Sequence, residues 1–338
     1  VIDRRGALAL LGGLAAAACA APRTAPPRAA PPRPSLALDP LTDLVTGAGL
    51  EWLVDARPAE LLGDATFAEA LATVIPPTRL DAFAAAAGGV DPRRAQELVV
   101  CGYREASLAL ARLDVDPDAV ERAFAAGGEI EGRADEGGVR RTWGTLGGER
   151  AQVAVFGRGA VGLERGGLGP LRPAVYFAQG KLHRAGPALR SAPLASVVEL
   201  AGPAPLRAFA PGPFEGPWSR ALGGLLGAAT AVGGVLRASG AEWTLRVFVT
   251  GAWSDDAPAA AERLAASIHL LAEDPLGRLL GLGTVRAQAG ATRSTGAGGA
   301  TGAGPMGYLV ADLAVNLPVL ARGLSAATSA DVRGIMGL

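Results

Sequence analysis

Residues 129–165 read EIEGRADEGGVRRTWGTLGGERAQVAVFGRGAVGLER. Apolar and polar residues alternate along this stretch, and glycine-rich steps interrupt it at regular intervals. A period of two puts alternate side chains on opposite faces of an extended chain, and glycine pairs supply the positive φ that tight hairpins need. The pattern predicts four antiparallel strands: Glu129–Arg133, Val139–Leu146, Arg150–Phe156 and Ala160–Arg165. Their turns fall at Asp135–Gly138, Gly147-Gly148 and Gly157–Gly159.

Working outward, the period lengthens to that of a helix. Asp116-Pro117 opens a helical run in which Val120 and Phe124 lie four apart on one face, and Gly127-Gly128 closes it. Further upstream, strands are predicted at 50–56, 96–103 and 107–113, with helices at 67–75 and 78–87. Downstream, helical patterns at 174–184 and 194–200 precede a second series. That series has strands at 206–210 and 242–250, a helix at 257–272, strands at 285–289 and 308–317, and a closing helix at 318–328. Residues 218–238, rich in Ala, Gly and Leu, read as one long core helix. The order of elements in the second series repeats that of the first, and DAVERA at 118–123 echoes AAAERL at 259–264. The expectation is an α+β protein of two similar halves, each mixing helices with a mainly antiparallel sheet. The halves occupy 41–170 and 204–338, joined by a helical connector at 171–203.

The first forty residues follow a different logic. Arg4 and Arg5 precede an uncharged stretch, GALALLGGLAAAACA at 6–20. As a helix it would span about 22 Å, short of the roughly 30 Å hydrocarbon core. Seven prolines follow between Pro22 and Pro40, a composition suited to an extended tether. The arginine pair resembles a twin-arginine export signal, and Ala16-Ala17-Ala18-Cys19 resembles the lipobox of bacterial exported lipoproteins. The resemblance covers only this leader. It implies removal of residues 1–18 and a lipid on Cys19, with 19–40 as the tether. Ala20 rather than Asp after the cysteine implies an outer-membrane destination facing the periplasm. The partners so implied are a membrane, reached through the N-terminal lipid, and an envelope protein or other envelope component.

Composition excludes other classes. Thirty-two basic residues balance thirty-two acidic ones, so the chain lacks the positive surplus of a nucleic-acid binder. Lys181 is the only lysine, and the arginine enrichment fits GC-rich coding rather than phosphate recognition. Cys101 lies in the apolar run Leu98-Val99-Val100-Cys101 and reads as a small core residue. The two histidines, His183 and His269, have no metal-ligand spacing.

Other motifs fail on context. Gly157-Arg158-Gly159-Ala160-Val161-Gly162 matches a dinucleotide fingerprint, but LERGGLGP after it cannot hold the required helix. Gly302-Ala303-Gly304-Pro305-Met306-Gly307 matches too, with a proline inside. Ser254 or Ser267 with Asp255 and His269 would make a triad only on paper, and no nucleophile elbow accompanies them. The acidic group Glu129, Glu131, Asp135 and Glu136 sits on a predicted hairpin beside Arg133, Arg140 and Arg141, as cross-strand ion pairs would. No catalytic residue, cofactor or metal is therefore expected. The leading expectation is a non-enzymatic envelope lipoprotein that binds a protein or envelope component. The alternatives are a hydrolase with dispersed catalytic groups and a carrier of an apolar ligand, its cavity expected beside 221–236.

Overall fold

The structure, a computed structural model, describes residues 36–167, 169–181, 186–239, 242–251, 253, 256–274, 277, 290–293 and 307–329. Arg4, Arg5, Cys19, His183, Ser254, Asp255, the strand expected at 285–289 and most of the second glycine motif lie outside the described residues.

The strands are β1 (Leu50–Ala56), β2 (Glu97–Tyr103), β3 (Ala106–Arg112), β4 (Gly128–Glu136), β5 (Val139–Leu146) and β6 (Glu149–Phe156). They continue with β7 (Ala160–Gly166), β8 (Leu206–Pro211), β9 (Ala229–Ser239), β10 (Glu242–Gly251), β11 (Gly290–Arg293) and β12 (Gly307–Val315). Among the described residues these form one antiparallel sheet in the order β11-β12-β10-β9-β8-β1-β2-β3-β7-β6-β5-β4. The helices are α1 (Pro58–Leu62), α2 (Ala65–Val74), α3 (Pro77–Ala86), α4 (Pro117–Gly127), α5 (Leu171–Ala178), α6 (Ala192–Ala201), α7 (Ala257–Glu273) and α8 (Leu317–Ser329). The fold is α+β.

The two halves share a path. From β1 the chain passes through helices to β2, turns into β3, crosses as α4 and returns by a meander that lays β7 beside β3. From β8 it passes through short turns to β9, turns into β10, crosses as α7 and returns to lay β12 beside β10. Among the described residues the first half carries one extra hairpin. β1 and β8 pair antiparallel at the centre, so one sheet runs through both halves.

The sheet is covered on both faces. On one, α5, α6 and the segment 41–45 pack over Leu53, Cys101, Leu110, Phe156 and Phe209. On the other sit three separate clusters, under α4, under α7, and around α2 and α8. Each fully buried leucine here contributes about 1.5–3 kcal/mol relative to an exposed one. The folded unit also begins before Leu41, where the sequence reading starts it. Leu36 and Leu38 pack on the first core, and the Ala37 N–H donates to the Ala178 carbonyl at 2.9 Å.

The long helix expected at 218–238 is corrected. Two short 3-10 turns, Gly216–Arg220 and Leu225–Ala228, lead into β9. A strand covered on both faces reads as an unbroken apolar run, which periodicity cannot separate from a buried helix. Gly233 shows why small residues stand there. A Cβ on it would lie 2.9 Å from Val197 Cγ1 of α6 and 3.1 Å from the Phe209 ring.

Candidate functional site

On β2, β3, β6 and β7 every second residue faces the same side of the sheet. Leu98, Ala109, Ala111, Val153, Val161 and Leu163 form a floor there. Two helices roof it. α4 is opened by Asp116, whose carboxylate accepts the Asp118 N–H at 3.0 Å, with Pro117 at the first turn. Its Val120 and Phe124 turn down toward the floor and are buried. α3 supplies Phe83, Ala86 and Ala87. It has no buried residue, and Phe83 is 47% exposed. The turn after α3 is fixed against α4 by Gly88, at φ +69, where a Cβ would sit 2.5 Å from the Ala119 carbonyl oxygen. Only glycine takes both that backbone angle and that contact.

Between roof and floor lies a cavity of about 500 Å³. Every residue lining it is apolar, down to Val90, Pro92, Gly127 and Leu146. The size falls within the range of small-ligand sites, roughly 300–1,000 Å³. The corresponding place in the second half, under α7, is filled by Leu225, Leu226, Trp253, Leu264, Leu309 and Leu313. Alanines at 86, 87, 109, 111, 123 and 126 leave it open in the first half. This apolar cavity lies under α3 and α4, whereas the carrier alternative expected one beside 221–236. Nothing local in the sequence singles out these alanines, because alanine is common throughout the chain.

A smaller cleft of about 380 Å³ lies on the far side of the β2–β3 turn, bounded by Thr46, Tyr103, Arg104, Glu105, Pro170 and Pro173. Behind it Glu164, 2% exposed, accepts backbone N–H groups from Gly169 and Leu171. Burial raises its carboxyl above the usual range, and these two donors oppose the shift.

The other described candidates take these positions. Gly157 and Gly159 turn the β6–β7 hairpin, and Gly162 lies inside β7 where a dinucleotide site needs a helix. His269 is exposed on α7 with Nε2 3.2 Å from Glu273 Oε1, and the Ser267 hydroxyl donates to its own helix at Arg263. Asp135 pairs across the hairpin with Arg140, which also reaches Asp118, while Arg133 bonds Glu121 and Lys181 bonds Glu136. Glu129 and Glu131 are exposed on the same edge strand. Cys101 is fully buried on β2, and burial pushes its thiol far up, out of the reactive range.

No family model matches this chain, and no curated protein matches it. Among solved structures, crystal form III of TP0453 is similar, with a TM-score of 0.49 and 11% identity over 86% of this chain and 99% of that one. Crystal forms I and IV of TP0453 give TM-scores of 0.46 and 0.47 at 11% and 10% identity, each over 86% of this chain. They cover 98% and 97% of those chains.

Proposed function

We propose that this chain is a non-enzymatic envelope lipoprotein, exported through a leader carrying Arg4 and Arg5 and anchored by a lipid on Cys19. In this reading it binds an apolar envelope component in the cavity beneath α3 and α4. The cavity supports the reading: about 500 Å³, lined entirely by apolar residues, and covered by a helix that buries none of its own. Apolar-lined pockets of this size take up small apolar molecules.

The test is saturable binding of the fluorescent fatty acid cis-parinaric acid to the full mature chain. Ala109→Leu and Ala111→Leu fill the floor and are expected to weaken binding, while the fold is retained. Unsaturable binding, or equal binding by wild type and variants, overturns the cavity reading. Intact mass of the protein from native membranes tests the anchor: a species starting at Cys19 with acyl mass is expected, and one starting elsewhere removes it.

A further inference from the structure

The cavity wall takes no charge, so a ligand with a polar end must leave that end outside. Beyond one end of the floor stands an arginine. Val161 and Leu163 of β7 line the cavity, and the next residue in the same row is Arg165. It stands opposite Ser107 on β3 and Ala151 on β6 in the sheet register. A second measure places it at the same end. Its Nη2 lies 3.8 Å from the position of a Cβ on Gly147, the residue after Leu146, which also lines the cavity. Arg165 is 45% exposed, and its Nη2 pairs with Glu149 Oε2 at 3.0 Å. That carboxylate belongs to an exposed residue at the start of β6, and a ligand anion can replace it.

We propose that Arg165 receives the anionic head of a long-chain amphiphile whose hydrocarbon lies in the cavity. The inference rests on the cavity reading above. A carboxylate or a phosphate would satisfy the same guanidinium, which donates two parallel N–H groups to either. Glu149 holds the side chain in place when the ligand is absent and competes with the head when it is present.

Displacement of cis-parinaric acid from the full mature chain by laurate, dodecyl phosphate and 1-dodecanol separates the possibilities. Wild type is expected to bind the better anion about tenfold more tightly than the alcohol of equal chain length. Arg165→Gln should bring anion and alcohol together, and Glu149→Gln should widen the gap. Arg79→Gln removes an equal charge one turn from Phe83 and should leave the gap unchanged. Whichever anion binds better identifies the head as carboxylate or phosphate, and either supports the proposal. Equal binding of all three ligands by wild type, or an equal loss in Arg79→Gln, overturns the role of Arg165 and leaves the cavity standing. Displacement by none of them removes the cavity reading, and this inference with it.

Discussion

Glu164 accepts the backbone N–H of Leu171 at 2.6 Å, tying the middle of β7 to the first turn of α5. Its other oxygen accepts the Gly169 N–H at 2.9 Å. The groups facing it are Leu108 across β3, Gln152 across β6, and Tyr103 of β2. The titratable one, Tyr103, is raised by burial and stays neutral. Asp55, the other buried carboxylate described, has an arginine; Glu164 has two backbone donors.

The consequence is a pH dependence of stability. Burial, the largest cause, raises the folded pKa of Glu164 above its ordinary unfolded value. Its contribution is therefore full below the unfolded value and is lost as pH rises through the raised one. Glu164→Gln does not titrate. It offers one carbonyl oxygen to two N–H groups, a loss of about 1–2 kcal/mol at low pH. Urea unfolding from pH 4 to 8 should show the wild-type advantage over Glu164→Gln shrinking as pH rises. A constant difference would mean that the carboxyl titrates alike in the folded and unfolded chain.

The junction between the halves carries a buried ion pair. Asp55 of β1 and Arg207 of β8 are direct partners in the register, with Nε 3.0 Å from Oδ2. Asp55 is 3% exposed, and its Oδ1 has no hydrogen-bond partner among the described residues. Arg207→Met leaves that carboxylate buried without its cation, a loss of about 3–5 kcal/mol in chemical denaturation. Asp55→Leu with Arg207→Met removes both charges and should recover most of it. A double variant as unstable as the single one would show that the pair is a net stabiliser of the central strands.

What was legible in the sequence follows from which residues face water. The meander β4–β7 reads well because it alternates and because its glycine pairs fall at the turns. α4 and α7 read well because Asp116-Pro117 and Pro258 mark their starts and one face of each is polar. β9 does not, since both its faces are covered and Gly233 makes room for α6. The cavity is illegible for a related reason. Alanine is the best helix former and is common throughout this chain, so nothing local marks the alanines that leave space. Arg165 could be found only after the register placed it in line with Val161 and Leu163.

The start of the folded unit depends on one carboxylate. Both oxygens of Glu97 accept the Leu41 N–H, at 2.9 and 3.0 Å, and one also accepts from Arg112 at 2.6 Å. Arg112 donates in turn to the Leu38 carbonyl and to Asp39. This clamp and the buried side chains of Leu41, Leu44 and Val45 hold the segment to the sheet. Glu97→Ala orphans the Leu41 N–H and leaves the half-buried Arg112 with only the outer partners, so local opening should become easier by about 1.5–3 kcal/mol. Thermolysin, which cuts beside leucine, should then cleave within residues 36–45 at least about tenfold faster, because cleavage tracks the open population. Glu97→Gln keeps an acceptor for Leu41 and should fall between. Equal cleavage of all three proteins would assign the docking to the apolar contacts of Leu41 and Leu44 alone.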